Sequence, residues 1–226
     1  MSNFDSDGSS ENQWDDRGEL AWNEFDWERY LRDQDELILR YLRFYEANKR
    51  SPDRIDKVAE KMNWGQGDWS DESGGGDFDD DDDTDDDDED DVYTLHKNPI
   101  FIATKAIYLS ISRSWELLAA DPAQVPQPFA VTMLASLHRG EEQAVQAIHA
   151  LDFGDYAMAV SLFKRAMSAL NGSLALLNDD AMGRLPRVQA WREEAMSRCF
   201  DLREIWLRVI AECRDELDRP IEDESS

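Results

Sequence analysis

Cysteine is scarce in this 226-residue chain: Cys199 and Cys213 are the only two, 14 positions apart in what reads as one helix. At about 1.5 Å of rise per residue they stand roughly 21 Å apart. An intrachain disulfide needs Cα atoms within about 7 Å, so this pair cannot form one. Both fall on an apolar stripe, as reduced core thiols in a reducing compartment would. No Cys-x-x-Cys occurs, which excludes a zinc ribbon and a dithiol redox site. Histidine is equally sparse, at His96, His138 and His149. The last two could share a helix face, but the paired Glu-x-x-His of di-metal bundles is missing; His138-x-x-Glu141 has the reverse order and occurs once. Long apolar runs are also missing. The most apolar stretch, residues 99–111, contains Lys105 and is too short to span a bilayer. Residues 1–13 carry no basic or apolar region of a signal peptide, so a cytoplasmic protein is expected. There is no Gly-x-Ser-x-Gly elbow, phosphate-binding loop or dinucleotide fingerprint. Cys199, mid-helix on the apolar face, is badly placed for a nucleophile. No enzyme, metal or cofactor is expected; a bundle-interior active site is the weakest of the alternatives. Asn3, Asp5, Asp7 and Gly8 match the first half of an EF-hand loop, but Trp14 stands where the bidentate Glu is needed.

Positive charge is the other shortage. Lysine and arginine number 24 against 51 acidic residues, a net charge of −27. Residues 1–64 carry 16 acidic and 10 basic residues (−6), residues 65–92 carry 16 acidic and none basic (−16), and residues 93–226 carry 19 and 14 (−5). One short segment therefore supplies most of the charge. Direct nucleic-acid binding, which needs Lys and Arg against phosphates, is not expected, and neither is an anionic membrane. A protein with a basic surface is the favoured partner.

What remains reads as helix. Residues 1–18 and 220–226 are acidic tails. Residues 19–64 form a helical hairpin. Its first helix spans 19–48, with Leu20, Phe25 or Trp27, Leu31, Ile38, Tyr41 or Leu42, and Tyr45 as its apolar stripe; its second opens at Ser51-Pro52 as N-cap and first helical residue, and Gly65 and Gly67 end it. In residues 65–92 a Gly triplet precedes a nearly pure Asp run. Like-charge repulsion and the lack of apolar residues predict a disordered linker. Residues 93–219 read as four long helices, with Asn98-Pro99 and Pro186 as starts. Their short connectors predict an antiparallel four-helix bundle. The last helix has the most regular stripe: Val188, Trp191, Ala195, Cys199, Leu202, Trp206, Val209, Cys213 and Leu217, spaced about 3.6 residues apart on average. Such a stripe could also serve a homodimer. The fold expected is all-α: hairpin, acidic linker, bundle.

Gly154-Asp155-Tyr156 followed by Ala159, Phe163 and Ala166 resembles the turn and second helix of a tetratricopeptide repeat, over about residues 143–167. Small residues let two helices approach closely, and the aromatic fills the groove between them. The preceding helix departs from the pattern at Gln143, Gln146, Ala147 and Ala150, and no second copy follows. The resemblance implies an interaction scaffold.

The informative positions are aromatic. Trp22, Phe25, Trp27 and Tyr30 lie among carboxylates near the start of the first helix. At about 100° per residue, Trp22, Phe25 and Tyr30 can line one side, with Trp27 well around it. So dense an aromatic helix buries against something, either its own bundle or a partner's groove. The function expected is an adaptor or interaction protein. The alternative is an acidic nucleic-acid mimic or chaperone-like binder of a basic protein.

Overall fold

The computed structural model describes residues 22–64, 97–178 and 186–219. The acidic tails, the Asp-rich segment 65–92 and the EF-hand-like residues 3–14 lie outside them. Among the described residues the chain is all-α, with a pair of helices followed by a set of four. They are α1 (Glu24–Ala47), α2 (Arg54–Lys61), α3 (Pro99–Ala119), α4 (Gln127–Asp152), α5 (Tyr156–Leu177) and α6 (Pro186–Asp218). The chain divides into two compact units, Met1–Glu36 and Leu37–Ser226. No described helix is long and apolar enough to cross a membrane.

Helix ends follow local side-chain chemistry. Asn23 caps α1: its Oδ1 accepts from the Phe25 and Asp26 amides at 2.8 and 3.3 Å, and Asp26 Oδ2 accepts from the Asn23 amide at 2.9 Å. This reciprocal box satisfies donors that a helix start leaves open. The expected Ser51-Pro52 start of α2 is not formed. These residues sit in a turn, Asp53 holds the cap position without a side-chain bond, and Ser51 Oγ instead binds Lys57 Nζ at 2.7 Å. The helix also stops before the glycines expected to end it. Asn63 takes a positive φ of 59°, and the Asn63 and Trp64 amides donate back to the Glu60 and Ala59 carbonyls. Asparagine tolerates that left-handed geometry better than most residues. Asn98 caps α3 as expected, accepting from the Ile100 and Phe101 amides. Gly154, at φ 73°, closes α4 in the same way as Asn63 closes α2, and Asp155 caps α5 by accepting from the Met158 amide at 2.9 Å.

Within Leu37–Ser226 the four long helices pack around a closed circuit: α3 on α4, α4 on α5, α5 on α6, and α6 back on α3. The α4–α5 pairing is the most extensive, and small residues explain it. Ala144, Ala147, Ala159 and Ala166 are fully buried, and so is Phe163. Gly140 is required for a different reason: a Cβ there would stand 2.5 Å from the Tyr108 hydroxyl. The α6 stripe is buried from Val188 to Cys213; Leu217, expected to end it, is half exposed because it lies in the last turn. Indoles anchor the core at two levels. Trp206 stacks near Tyr108 and donates to Thr104 Oγ1 at 3.2 Å. Trp115 and Trp191 meet at 4.6 Å between centroids, and their ring N–H groups donate to the Ala130 carbonyl and Ser114 Oγ.

The first half of α3 is buried beyond the face of Ile100, Ala103, Ile107 and Ile111: Phe101 and Ile102 are inside as well. Ile38, Tyr41, Tyr45, Ile55, Val58 and Met62 belong to the same apolar cluster as the four long helices.

Candidate interaction surface

The residues singled out in the sequence meet at the start of α1, though not as the helical phase predicted. Trp22, Trp27 and Tyr30 form a three-ring cluster, with edge-on pairs at 4.8, 5.2 and 6.0 Å between centroids. Phe25 is outside it and 75 % exposed. The cause is the cap. Trp22 precedes Asn23 and so lies before the helix, free of its phase. Its ring folds forward onto Trp27, five residues on, as the apolar clasp that often accompanies a capping box. Trp22 remains 38 % exposed and Trp27 50 %. A staple needs only one contact, yet both indoles keep large open surfaces. Glu24, Asp26 and Glu28 neighbour them in the sequence, and Glu28 binds Arg32 at 3.0 Å.

A second constellation, which sequence reasoning missed, joins residues 37–64 to α6. Asp201 is buried, and its carboxylate accepts from the Tyr45 hydroxyl and from Arg54 Nε. Arg54 Nη2 also donates to the Ser197 carbonyl and Oγ at 3.0 and 2.6 Å, and the guanidinium lies over the Tyr45 ring. Arg198 binds Glu46 at 2.7 Å, with Ser110 Oγ donating to the same carboxylate oxygen at 3.2 Å, and Arg208 binds Asp56. Three arginine–carboxylate pairs thus cross from α6 to α1 and α2, with the arginine on α6 in two of them. Asp201 lies beside Leu202 in the sequence, and that adjacency was the one available hint: a carboxylate on the flank of a core stripe.

The electrostatics make this cluster a clamp. Burial first, and then the Asp201 charge, push the Tyr41 and Tyr45 hydroxyls far above their ordinary range, so both stay protonated. Burial works against the charge on Arg54, but the bond to Asp201 and the nearby Tyr45 outweigh it, and its pKa rises. Burial pushes the Cys199 thiol up to about 12 and Cys213 to about 11, and both are free thiols. At neutral pH the two tyrosines and the two thiols are therefore neutral, and Arg54 keeps its charge. Among the described residues no group of three or more His, Cys, Asp or Glu is arranged to hold a metal ion. No protein-family model, curated protein or solved structure matches the chain.

Proposed function

We propose that this chain is a non-enzymatic helical interaction module that engages a protein partner through the start of α1. The observation that carries the reading is the exposure of Trp22, Phe25 and Trp27 on a helix start rich in carboxylates. Large rigid aromatics dominate interface energies because they bury much area at little entropic cost. The surrounding acids select a partner with a basic surface and speed the encounter. The four long helices serve as the folded body, in an up-down antiparallel arrangement favoured by their short connectors, and Gly154 to Ala166 contribute one tetratricopeptide-like turn and helix to it. The chain acts in the cytoplasm.

Affinity enrichment from the source lysate, at low and high salt, tests this. The full chain is compared with one carrying Trp22→Ala, Phe25→Ala and Trp27→Ala. The expected result is a partner held by the native chain at high salt and lost by the variant; equal retention by both removes α1 from the account. A second reading, mimicry of nucleic acid, is favoured by the 16 carboxylates without one cation in residues 65–92. It requires that DNA or RNA compete for the same partner and that all binding vanish in salt.

A further inference from the structure

The chemistry around the α1 aromatics points to one kind of occupant. Residues 22–36 carry six acidic residues (Glu24, Asp26, Glu28, Asp33, Asp35 and Glu36) and two basic ones (Arg29 and Arg32), a balance of 2 − 6 = −4. Helical phase sorts them. At about 100° per residue, Trp27 and Tyr30 centre one face, Asp26 and Asp33 flank it roughly 70–90° to one side, and Glu24 and Asp35 roughly 90–110° to the other. Both arginines and Phe25 fall on the opposite side. The exposed indoles therefore lie in an aromatic strip edged with carboxylates along both borders and cleared of cations. A second copy of the chain would bring −4 against −4, and nucleic acid or an anionic membrane would be repelled as well. A neutral apolar helix would have to strip water from the bordering carboxylates without compensation.

Resting on the reading of this helix as a docking surface, we propose that its ligand is an arginine-bearing protein segment, selected over a lysine-bearing one. A guanidinium is planar and weakly hydrated, so it can lie flat on an indole while its edge donates two parallel bonds to a carboxylate. An ammonium keeps its water and makes a point contact only. Cation–π attraction is strongest on tryptophan and increases where solvent is excluded, as at Trp27 once it is covered.

The test uses the full chain in calorimetric titrations against three synthetic amphipathic peptides, identical except that their four polar positions are all arginine, all lysine or all glutamine. The acidic segment 65–92 adds the same background to every protein variant, so differences between variants report on α1. The expected result is that the arginine peptide binds roughly fivefold or more tighter than the lysine peptide at physiological salt. Trp27→Leu should abolish that preference. Asp33→Asn with Asp35→Asn should weaken the arginine peptide without disturbing the helix cap, which guards against a Trp27 variant that only frays the helix; far-ultraviolet circular dichroism monitors both. Equal affinity for arginine and lysine peptides, with both weakened by Trp27→Leu, would overturn the guanidinium preference and leave the docking surface standing. Binding untouched by any α1 substitution would overturn both.

Discussion

Replacing Asp201 by Asn should destabilise the fold more than any single surface change. The carboxylate and the Arg54 side chain are 12 % and 14 % exposed, so this is a buried pair. Breaking such a pair from one side leaves a desolvated charge, which costs about 3–5 kcal/mol. Asparagine keeps the shape and can still accept from Tyr45, so the loss should fall near the low end, about 3 kcal/mol. With a urea dependence of about 2 kcal/mol per molar, the unfolding midpoint should drop by roughly 1.5 M. The informative control removes all the polarity together: Tyr45→Phe, Arg54→Met and Asp201→Leu. Replacing a whole buried ionic cluster with apolar side chains is often neutral or better, so this triple variant should lose less than Asp201→Asn alone. Urea unfolding followed by circular dichroism reads both. A midpoint shift below about 0.3 M for Asp201→Asn, or a triple variant worse than the single one, would refute the view that an unpaired buried Arg54 is the source of the loss.

Other consequences follow from neighbouring groups. Tyr45→Phe deletes a bond to a carboxylate and should cost about 1.5–3 kcal/mol, whereas Tyr41→Phe removes a hydroxyl with no hydrogen-bond partner among the described residues and should be neutral or stabilising; the same urea titrations compare them. Gly140→Ala should cost about 1–3 kcal/mol by driving a methyl into the Tyr108 hydroxyl, and adding Tyr108→Phe should recover most of it. The buried thiols predict alkaline lability. The unfolded chain releases these protons near the ordinary value of 9, while the fold holds them to about 11 and 12. Their contribution is therefore complete below pH 9 and declines above it, by about 1.4 kcal/mol per pH unit for each thiol, until its folded pKa is passed. Stability measured from pH 8 to 11 should show that decline, and Cys199→Ala should reduce its slope.

The sequence made the helices legible because their signals are local and redundant. Asn98 before Pro99, Pro186, and a stripe of one period from Val188 to Cys213 each required a particular helix position, and the structure uses them all. The misses came where two signals competed or where tertiary contacts decided. Ser51-Pro52 carries a helix-start signature, but Ser51 Oγ is taken by Lys57 and the chain turns once more before α2 begins. Asn63 ended α2 ahead of the glycines because its own left-handed geometry was sufficient. Phe101 and Ile102 lie off the α3 face of Ile100, Ala103, Ile107 and Ile111; their burial depends on packing against other elements, which no periodicity within one helix reports. Asp201 was hidden by the general rule that carboxylates face water, and only the distant Tyr45 and Arg54 reverse it. At the candidate surface the sequence marks all four aromatics, but helical phase does not apply to Trp22, which precedes the cap, so Trp27 rather than Phe25 joins it and Tyr30.

Docking of a partner on α1, as proposed above, would shield its amides from solvent. Hydrogen–deuterium exchange of the full chain, with and without the salt-resistant partner recovered by the native chain, tests it most directly. Slowed exchange in peptides covering residues 22–36, with α3 to α6 little changed, is the predicted result. Protection confined to other segments, with residues 22–36 exchanging as fast as in the free chain, would contradict it.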